Sequence, residues 1–305
     1  MQIEFKEQYE IKNHTTFKIG GTVSKAWFPK NQQELVYLLS TLKNYILLGN
    51  CSNVLISSNG CKNDVIFTTK MQFFSINGNK IIADCGVKGP LLSQKVAEAS
   101  LSGFEFMIGF PGTIGGEIFM NASCHGQCIS DNLIRCCLFD KKKKEVVYKE
   151  KHEMDFGYRK SILQKGNYVL LGAEFELNRA PQEEIKDLME RNLESRKNVQ
   201  PKLTNPNAGS VFKNPENDSA GRLLDKAGAK EFEEILLGLE GMNIARALKK
   251  DIVQIIKLLD KAEEMLDSPL QTRIDFATKL KQNKEVVEFL KISKPKVYAV
   301  YKKLI

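Results

Sequence analysis

The 305-residue chain lacks a hydrophobic run long enough to cross a membrane. A spanning helix needs roughly 18 or more consecutive apolar residues. The richest apolar patch, residues 45–56, is interrupted by Gly49, Asn50 and Ser52. The N-terminus also lacks the basic segment and apolar core of a secretory signal peptide. We therefore expect a cytoplasmic protein with no membrane partner.

Histidine is scarce, and the cysteines form no clear framework. The three histidines at positions 14, 125 and 152 lack triad-like surroundings, and no G-x-S-x-G turn is present, so a hydrolase is disfavoured. The seven cysteines are odd in number, and adjacent Cys136 and Cys137 suit reduced core thiols on a strand better than disulfides. Cys124 and Cys128 flank His125 like half of a zinc site, but no second ligand pair exists. We expect no metal.

The composition is that of an ordinary globular protein, with 42% hydrophobic and 27% charged residues. The length fits two domains or one large one. Lys and Arg (45) exceed Asp and Glu (37) by eight, and much of the excess lies in residues 276–305. This basic tail is either a solvated face, which we favour, or an attraction for an acidic ligand such as a nucleotide diphosphate. No nucleic-acid-binding motif is present.

Hydrophobic periodicity predicts a small α/β unit in the first 72 residues. A helix should begin after Asn31, with Glu34 as its capping partner three residues later. Strands are predicted at 26–28, 45–48, 54–56 and 65–67. The alternation of strand, helix and strand is typical of a layered α/β arrangement.

A second α+β layer follows in residues 73–180. Asn77-Gly78 predicts a tight hairpin turn between strands 73–76 and 80–83, and a second hairpin should surround the lysines 141–144. We also predict a helix over 91–99 and a strand over 168–177. Pro181 should open a further helix, and an apolar stripe predicts another over 247–266. We therefore divide the chain into 1–72, 73–180 and 181–305.

Three glycine-rich segments stand out at 18–21, 48–55 and 109–117. Glycine lets a loop approach a phosphate closely, and unpaired loop N–H groups can then bind its oxygens. None of the three fits the Rossmann G-x-G-x-x-G spacing or the P-loop pattern. Each alone could be an ordinary turn, whereas three in one domain favour a dinucleotide site.

Two further segments carry polar side chains that could contact a ligand. The first, 156–161, contains Arg159, whose guanidinium can hold a carboxylate through two parallel hydrogen bonds, unless it is a simple surface arginine. The second, 207–215, surrounds Ser210 with small residues and supplies Lys213 and Asn214. The alternative there is an ordinary loop serine.

Taken in order, these segments resemble the UDP-N-acetylmuramate dehydrogenase family, the UDP-N-acetylenolpyruvoylglucosamine reductases of bacterial cell-wall synthesis. The resemblance covers residues 10–230. It is carried by 13–21, 49–53, 103–106, the run through 109–122, 156–161, the segment around Ser210, and 220–228.

The resemblance implies an α+β fold with FAD as cofactor. A two-subdomain FAD-binding module of the vanillyl-alcohol-oxidase type would be followed by an α+β substrate-binding domain. NADPH and UDP-N-acetylglucosamine enolpyruvate would be the partners in peptidoglycan synthesis, and thus in cell shape and cell division. We expect a monomer. The implied cofactor-binding residues are Gly49, Asn50, Cys51, Ser52, Asn53, Gly112, Thr113, Gly115 and Gly116.

The resemblance also assigns roles at the reacting group. Arg159 matches the family's carboxylate-binding arginine, and Ser210 matches its general acid. Four residues match positions that hold the substrate or its diphosphate: Tyr158, Lys202, Lys213 and Asn214.

The C-terminal third departs from the family pattern. The third catalytic residue should be a glutamate in a Leu-Glu-Pro-Glu-Val-Arg-like strand, but the counterpart here places Lys296 at that position. Lys296 could itself stabilise negative charge, and we favour retained activity. The alternatives are a divergent flavin oxidoreductase with another substrate and a non-catalytic nucleotide- or partner-binding protein.

Overall fold

A computed structural model describes residues 2–200 and 205–226 of the chain. The chain divides into two compact units, Met1–Val211 and Phe212–Ile305. None of the described helices is both long and apolar enough to cross a bilayer. The three-part division made from the sequence stays a prediction, and the predicted helix over 247–266 lies outside the described residues.

The first unit begins with a four-stranded sheet in the order β1-β2-β4-β3. Its strands are β1 (Phe5–Glu10), β2 (Thr22–Trp27), β3 (Tyr45–Leu48) and β4 (Asp64–Phe67). β1 is antiparallel to β2, whereas β2, β4 and β3 run parallel. β2 and β3 run in the same direction on either side of β4, so the chain must cross over between them, and helix α1 (Gln32–Thr41) forms this crossover.

Helix α1 begins as its sequence predicts. Asn31 is the N-cap, and its side-chain oxygen accepts the N–H of Glu34 at 2.9 Å. The Glu34 carboxylate reaches back one residue further than a capping box requires, to the N–H of Lys30 at 2.8 Å. Leu35, Leu38 and Leu39 form the buried face of the helix.

The prediction of a strand over 54–56 is wrong, because these residues form a loop. Both sides of β4 are already paired, with β2 and with β3, so no position in the middle of the sheet remains. Val54 and Ile56 still pack against the core of this sheet, while Leu55 is 70% exposed. The apolar alternation therefore reflects a loop with one face against the core.

The second sheet has five antiparallel strands in the order β11-β10-β12-β6-β5. They are β5 (Phe74–Asn77), β6 (Lys80–Asp84), β10 (Leu133–Asp140), β11 (Glu145–Glu150) and β12 (Tyr168–Glu176). Both predicted hairpins are present. In the first, Asn77 pairs with Lys80, so the two loop residues are Gly78 and Asn79, one position later than predicted. Cys136 is fully buried on β10 and Cys137 only partly, as expected for neighbours on opposite faces.

Shorter elements connect these sheets. The remaining strands are β7 (Leu101–Ser102), β8 (Ser123–Cys124), β9 (Gln127–Cys128) and β13 (Asn178–Arg179), and the helices are α2 (Gly89–Glu98), α3 (Ile114–Phe119), α4 (Gln182–Val199) and α5 (Ala220–Lys226). Single 3₁₀ turns cover Ile11–Asn13, Thr68–Lys70, Glu105–Met107, Lys151–Met154 and Ile162–Lys165. Pro181 is the N-cap of α4 rather than its first residue, and Ile185 and Met189 pack with Ala97 of α2.

Candidate active site

The loop 49–53 follows the carboxyl end of β3 in the parallel part of the first sheet. Cys51 adopts a φ of 51°, which turns the chain sharply and buries its thiol among the apolar residues of that sheet. Burial raises the pKa of Cys51 to about 12, so the thiol stays protonated and has a packing role. Among the described residues, no acceptor meets the main-chain N–H groups of Asn50 to Asn53. These N–H groups can therefore bind an anionic group.

The glycine-rich segment 109–117 lies directly against this loop. The side-chain amide of Asn50 donates to the carbonyl oxygen of Pro111 at 2.6 Å. A Cβ atom on Gly49 would lie 2.4 Å from the Thr113 hydroxyl oxygen, so only glycine permits this approach. Gly116 is exposed, and a Cβ on it would have no neighbour closer than 3.8 Å, so this side of α3 borders open space.

The first glycine-rich segment has a different role, because the space beside it is filled by protein. A Cβ on Gly21 would lie 2.3 Å from the Gly60 nitrogen and from the Ser58 oxygen. The Gly21 N–H donates to the Ser57 carbonyl at 2.9 Å. Gly21 therefore joins two parts of the backbone and leaves no room for a phosphate.

Arg159 lies in a tight turn between Gly157 and Lys160, whose main chains exchange hydrogen bonds of 3.2 and 3.1 Å. Its φ is 53°, a conformation that costs a non-glycine residue free energy and that is often found at functional sites. The Gln164 side chain donates to the Arg159 carbonyl at 2.9 Å, and that of Asn121 donates to the Gly157 carbonyl at 3.1 Å.

The Arg159 guanidinium is held by the residues around it. Its two terminal nitrogens donate to Ser123, one to the hydroxyl oxygen at 2.8 Å and the other to the carbonyl oxygen at 3.2 Å. The Tyr158 ring centroid lies 5.1 Å from its central carbon. Among residues 2–200 and 205–226, no carboxylate lies within ion-pair distance of Arg159. No carboxylate of these residues neutralises the positive charge, which can therefore attract an anionic ligand.

The segment that carries Ser210 belongs to the first unit and is hydrogen-bonded to two of its loops. The Thr16 hydroxyl donates to the Asn207 carbonyl at 2.8 Å. The Asn53 amide donates to the carbonyls of Ala208 and Ser210 at 2.6 and 3.1 Å. Ser210 itself is exposed. The loop predicted to bind a cofactor thus also holds the segment predicted to supply a proton.

These contacts join the sequence-predicted segments into one network. Segment 207–210 contacts Thr16 and Asn53, loop 49–53 contacts 111–113, and the residues around α3 contact the turn 157–160. Lys213 and Asn214 belong to the second unit, where both are exposed and the Asn214 side-chain oxygen accepts the Ala220 N–H at 3.0 Å. Lys202 and Lys296 lie outside the described residues.

Sequence reasoning missed Glu117 on α3. It is 3% exposed, and neither carboxylate oxygen has a hydrogen-bond partner among the described residues. Burial raises its pKa to about 8. The carboxyl group packs against Gly89 and Gly112, so it lies behind the glycine-rich loop. A glutamate in a run of small and apolar residues was the available signal.

The cysteines near Arg159 form a hairpin. Cys124 pairs with Gln127 across the turn of His125 and Gly126. The Cys128 thiol contacts Asp131 at 2.9 Å and Ser130 at 3.2 Å. In the part of the chain that the structure describes, no group of three or more His, Cys, Asp or Glu residues could hold a metal ion.

Comparison with solved structures defines the class of fold. The chain is similar to the crystal structure of UDP-N-acetylenolpyruvylglucosamine reductase from Thermus caldophilus, with 33% sequence identity and a TM-score of 0.65. The match covers 75% of this chain and 80% of that one. The fold is therefore the α+β fold of that reductase, and the predicted fold class is confirmed.

Sequence comparison identifies the family. The chain is 35% identical over 289 residues to the UDP-N-acetylenolpyruvoylglucosamine reductase of Caldicellulosiruptor saccharolyticus, which covers 90% of this chain and 93% of the relative. It is 40% identical over 235 residues to the enzyme of the same name from Caldicellulosiruptor bescii, covering 75% and 74%. The family model for the reductase C-terminal domain matches residues 200–261. The chain belongs to the UDP-N-acetylenolpyruvoylglucosamine reductase family, and the resemblance seen in the sequence is confirmed.

Proposed function

We propose that this protein is an oxidoreductase that reduces the enolpyruvyl group of UDP-N-acetylglucosamine enolpyruvate, with NADPH as reductant and FAD as cofactor. The product is UDP-N-acetylmuramate, a cytoplasmic precursor of peptidoglycan. The observation that carries the proposal is the contact network that links loop 49–53, the α3 region, the Arg159 turn and the Ser210 segment. The family relationship over 90% of the chain supports it.

The residues present fit a bound FAD. A bound FAD would supply hydride transfer from NADPH to the substrate double bond. The N–H groups of Asn50 to Asn53 would hold its pyrophosphate, since no described residue occupies them. The remaining residues that would border it are Gly49, Gly112, Thr113, Gly115 and Gly116, and the open space at Gly116 supports this.

Arg159 would stabilise the charge that develops on the substrate. Hydride addition at the methylene carbon moves negative charge onto the neighbouring carbon and its carboxylate. A fixed guanidinium with no acidic partner among the described residues suits that charge, because a fork of N–H donors matches both carboxylate oxygens.

Ser210 would then donate a proton to the neighbouring carbon. The tether from Asn53 fixes its main chain, which supports a stereospecific transfer. Tyr158, Lys202, Lys213 and Asn214 would bind the substrate or its diphosphate, and Lys296 would stand at the third catalytic position. We propose that the enzyme acts as a monomer.

Absorption and NADPH consumption test this function together. Purified protein should be yellow, with flavin absorption near roughly 450 nm. NADPH oxidation should depend on added UDP-N-acetylglucosamine enolpyruvate. A colourless protein that cannot be reconstituted with FAD would favour a non-catalytic nucleotide- or partner-binding protein. Turnover that is independent of the nucleotide would favour a flavin oxidoreductase with another substrate.

A further inference from the structure

Ser123 accepts two hydrogen bonds from the Arg159 guanidinium, and no other described residue does so. It accepts one hydrogen bond at its hydroxyl oxygen and another at its carbonyl oxygen, from the two terminal nitrogens of the same guanidinium. The guanidinium is planar, so two acceptors on one residue fix both its position and the orientation of its plane. Either contact alone would let the group rotate about the remaining bond.

The two hydrogen bonds to Ser123 leave other N–H donors of the guanidinium able to bind a ligand. A guanidinium carries five N–H donors, and Ser123 accepts from only two of them. The Nε side can still form the parallel pair of hydrogen bonds that a carboxylate accepts. Ser123 is also neutral, whereas a carboxylate in its place would cancel the positive charge that a ligand must meet.

Ser123 is itself held in place. It begins the short strand β8, which pairs with β9, and its neighbour Ala122 accepts the N–H of Ile129 at 3.0 Å. Two residues earlier, Asn121 binds the Gly157 carbonyl at the base of the Arg159 turn. Both ends of the Ser123–Arg159 contact are therefore tied to the same local structure.

We propose that Ser123 is a positioning residue, which orients the Arg159 guanidinium so that its free edge faces the substrate carboxylate. This inference rests on the role given to Arg159 under the proposed function. Ser123 does not contact the reacting atoms and acts only through Arg159.

The variants Ser123→Ala and Ser123→Thr test the proposal. Ser123→Ala removes the hydroxyl acceptor and keeps the carbonyl. Loss of a hydrogen bond to a charged group should slow reoxidation of the reduced flavin by the enolpyruvyl nucleotide about tenfold. Flavin reduction by NADPH should be unchanged, and Ser123→Thr should restore the rate. Ser40→Ala is the matched control, because this hydroxyl donates to Val36 within α1 and should leave both steps unchanged.

A double variant separates positioning from a general structural effect. In an Arg159→Lys background, Ser123→Ala should cause no further slowing, because the fork that it orients is gone. Normal reoxidation in Ser123→Ala, equal slowing of both half-reactions, or an undiminished effect in the Arg159→Lys background would each overturn the proposal. A normal Arg159→Lys enzyme would instead refute the role of Arg159 in the proposed function, and this inference with it.

Discussion

The side-chain amide of Asn53 donates to the main-chain carbonyl of Ser210 at 3.1 Å and to that of Ala208 at 2.6 Å. Asn53 ends the loop proposed to bind the FAD pyrophosphate, and Ser210 is the proposed proton donor. A single side chain therefore connects the cofactor loop to the acid across more than 150 residues of sequence. Filling of the cofactor site should consequently stabilise the segment that carries Ser210.

A second contact, from the Thr16 hydroxyl to the Asn207 carbonyl, also holds the segment that carries Ser210 and can be weakened by substitution. Thr16→Val preserves the side-chain shape and removes the hydroxyl, which lies 2.8 Å from the Asn207 carbonyl oxygen and 3.5 Å from that of Cys51. Loss of about 1 kcal/mol of hydrogen bonding should slow substrate-driven flavin reoxidation roughly fivefold. FAD affinity, measured by fluorescence titration, should change little, because the main-chain N–H of Thr16 keeps its 3.4 Å hydrogen bond to the Cys51 carbonyl of loop 49–53. Asn53→Ala should lower both the reoxidation rate and the FAD affinity. A Thr16→Val enzyme with markedly weaker FAD binding would show that cofactor binding and the placement of Ser210 cannot be separated in this way.

Ser210→Ala tests the proton donor directly. Flavin reduction by NADPH should proceed normally, since it does not require this proton. Reoxidation by the enolpyruvyl nucleotide should be slower by roughly 100-fold or more, the scale of general acid catalysis. Stopped-flow absorption measures both steps. Equal loss in the two half-reactions would remove Ser210 from the role of acid.

Arg159→Lys tests the need for a planar fork. The ammonium keeps the charge but cannot form two parallel bonds to a carboxylate or keep both contacts with Ser123. We expect reoxidation to slow by at least tenfold, with a higher KM for the nucleotide in steady-state assays. Lys160→Arg is a useful control, because it changes the neighbouring cation, which pairs with Asp155 on the surface. Near-normal kinetics in Arg159→Lys would place the substrate carboxylate elsewhere.

Glu117 predicts a pH dependence of apoprotein stability. Its pKa is about 8 in the folded protein against an ordinary value of 4.5, because burial disfavours the charged form. The unfolded chain therefore loses its proton first, and the free energy of unfolding should fall as pH rises from about 4.5 to 8. The upper limit of this loss is on the order of 5 kcal/mol.

Urea unfolding of wild type and Glu117→Gln between pH 5 and 9 measures this effect. The variant carries no titrating group at this position, so the difference between the two curves isolates Glu117. The free energy of unfolding of the variant minus that of wild type should increase with pH and become constant above about pH 8. Parallel curves across the whole range would show that Glu117 is not held neutral in the folded protein.

The sequence predicted those features that depend on neighbouring residues. Asn31 capped α1, and the lysines 141–144 sit in the turn of the β10–β11 hairpin, because capping and turn preferences act over a few positions. Residues 54–56 were misread because apolar alternation cannot tell a strand from a loop packed on a core. The first hairpin turn lies one residue later than predicted, because the pairing register of β5 and β6 places Asn77 opposite Lys80.

The candidate site was predicted as separate segments and not as contacts. Residue types and the family resemblance drew attention to Arg159, Ser210 and loop 49–53. Nothing local indicated that Ser123 accepts two hydrogen bonds from Arg159 or that Asn53 holds Ser210. Those pairs are 36 and 157 residues apart, and only the packing of the two sheets and their loops determines them. The small and apolar neighbours of Glu117 indicated burial and were overlooked, whereas its lack of a hydrogen-bond partner among the described residues depends on the fold.

An anaerobic single turnover tests the central claim most directly. The protein is reduced with one equivalent of NADPH until its flavin absorption near roughly 450 nm disappears, and UDP-N-acetylglucosamine enolpyruvate is then added. We predict full recovery of the oxidised flavin spectrum, with one UDP-N-acetylmuramate formed per flavin. A flavin that binds and accepts electrons from NADPH, yet stays reduced in the presence of the enolpyruvyl nucleotide, would contradict the account.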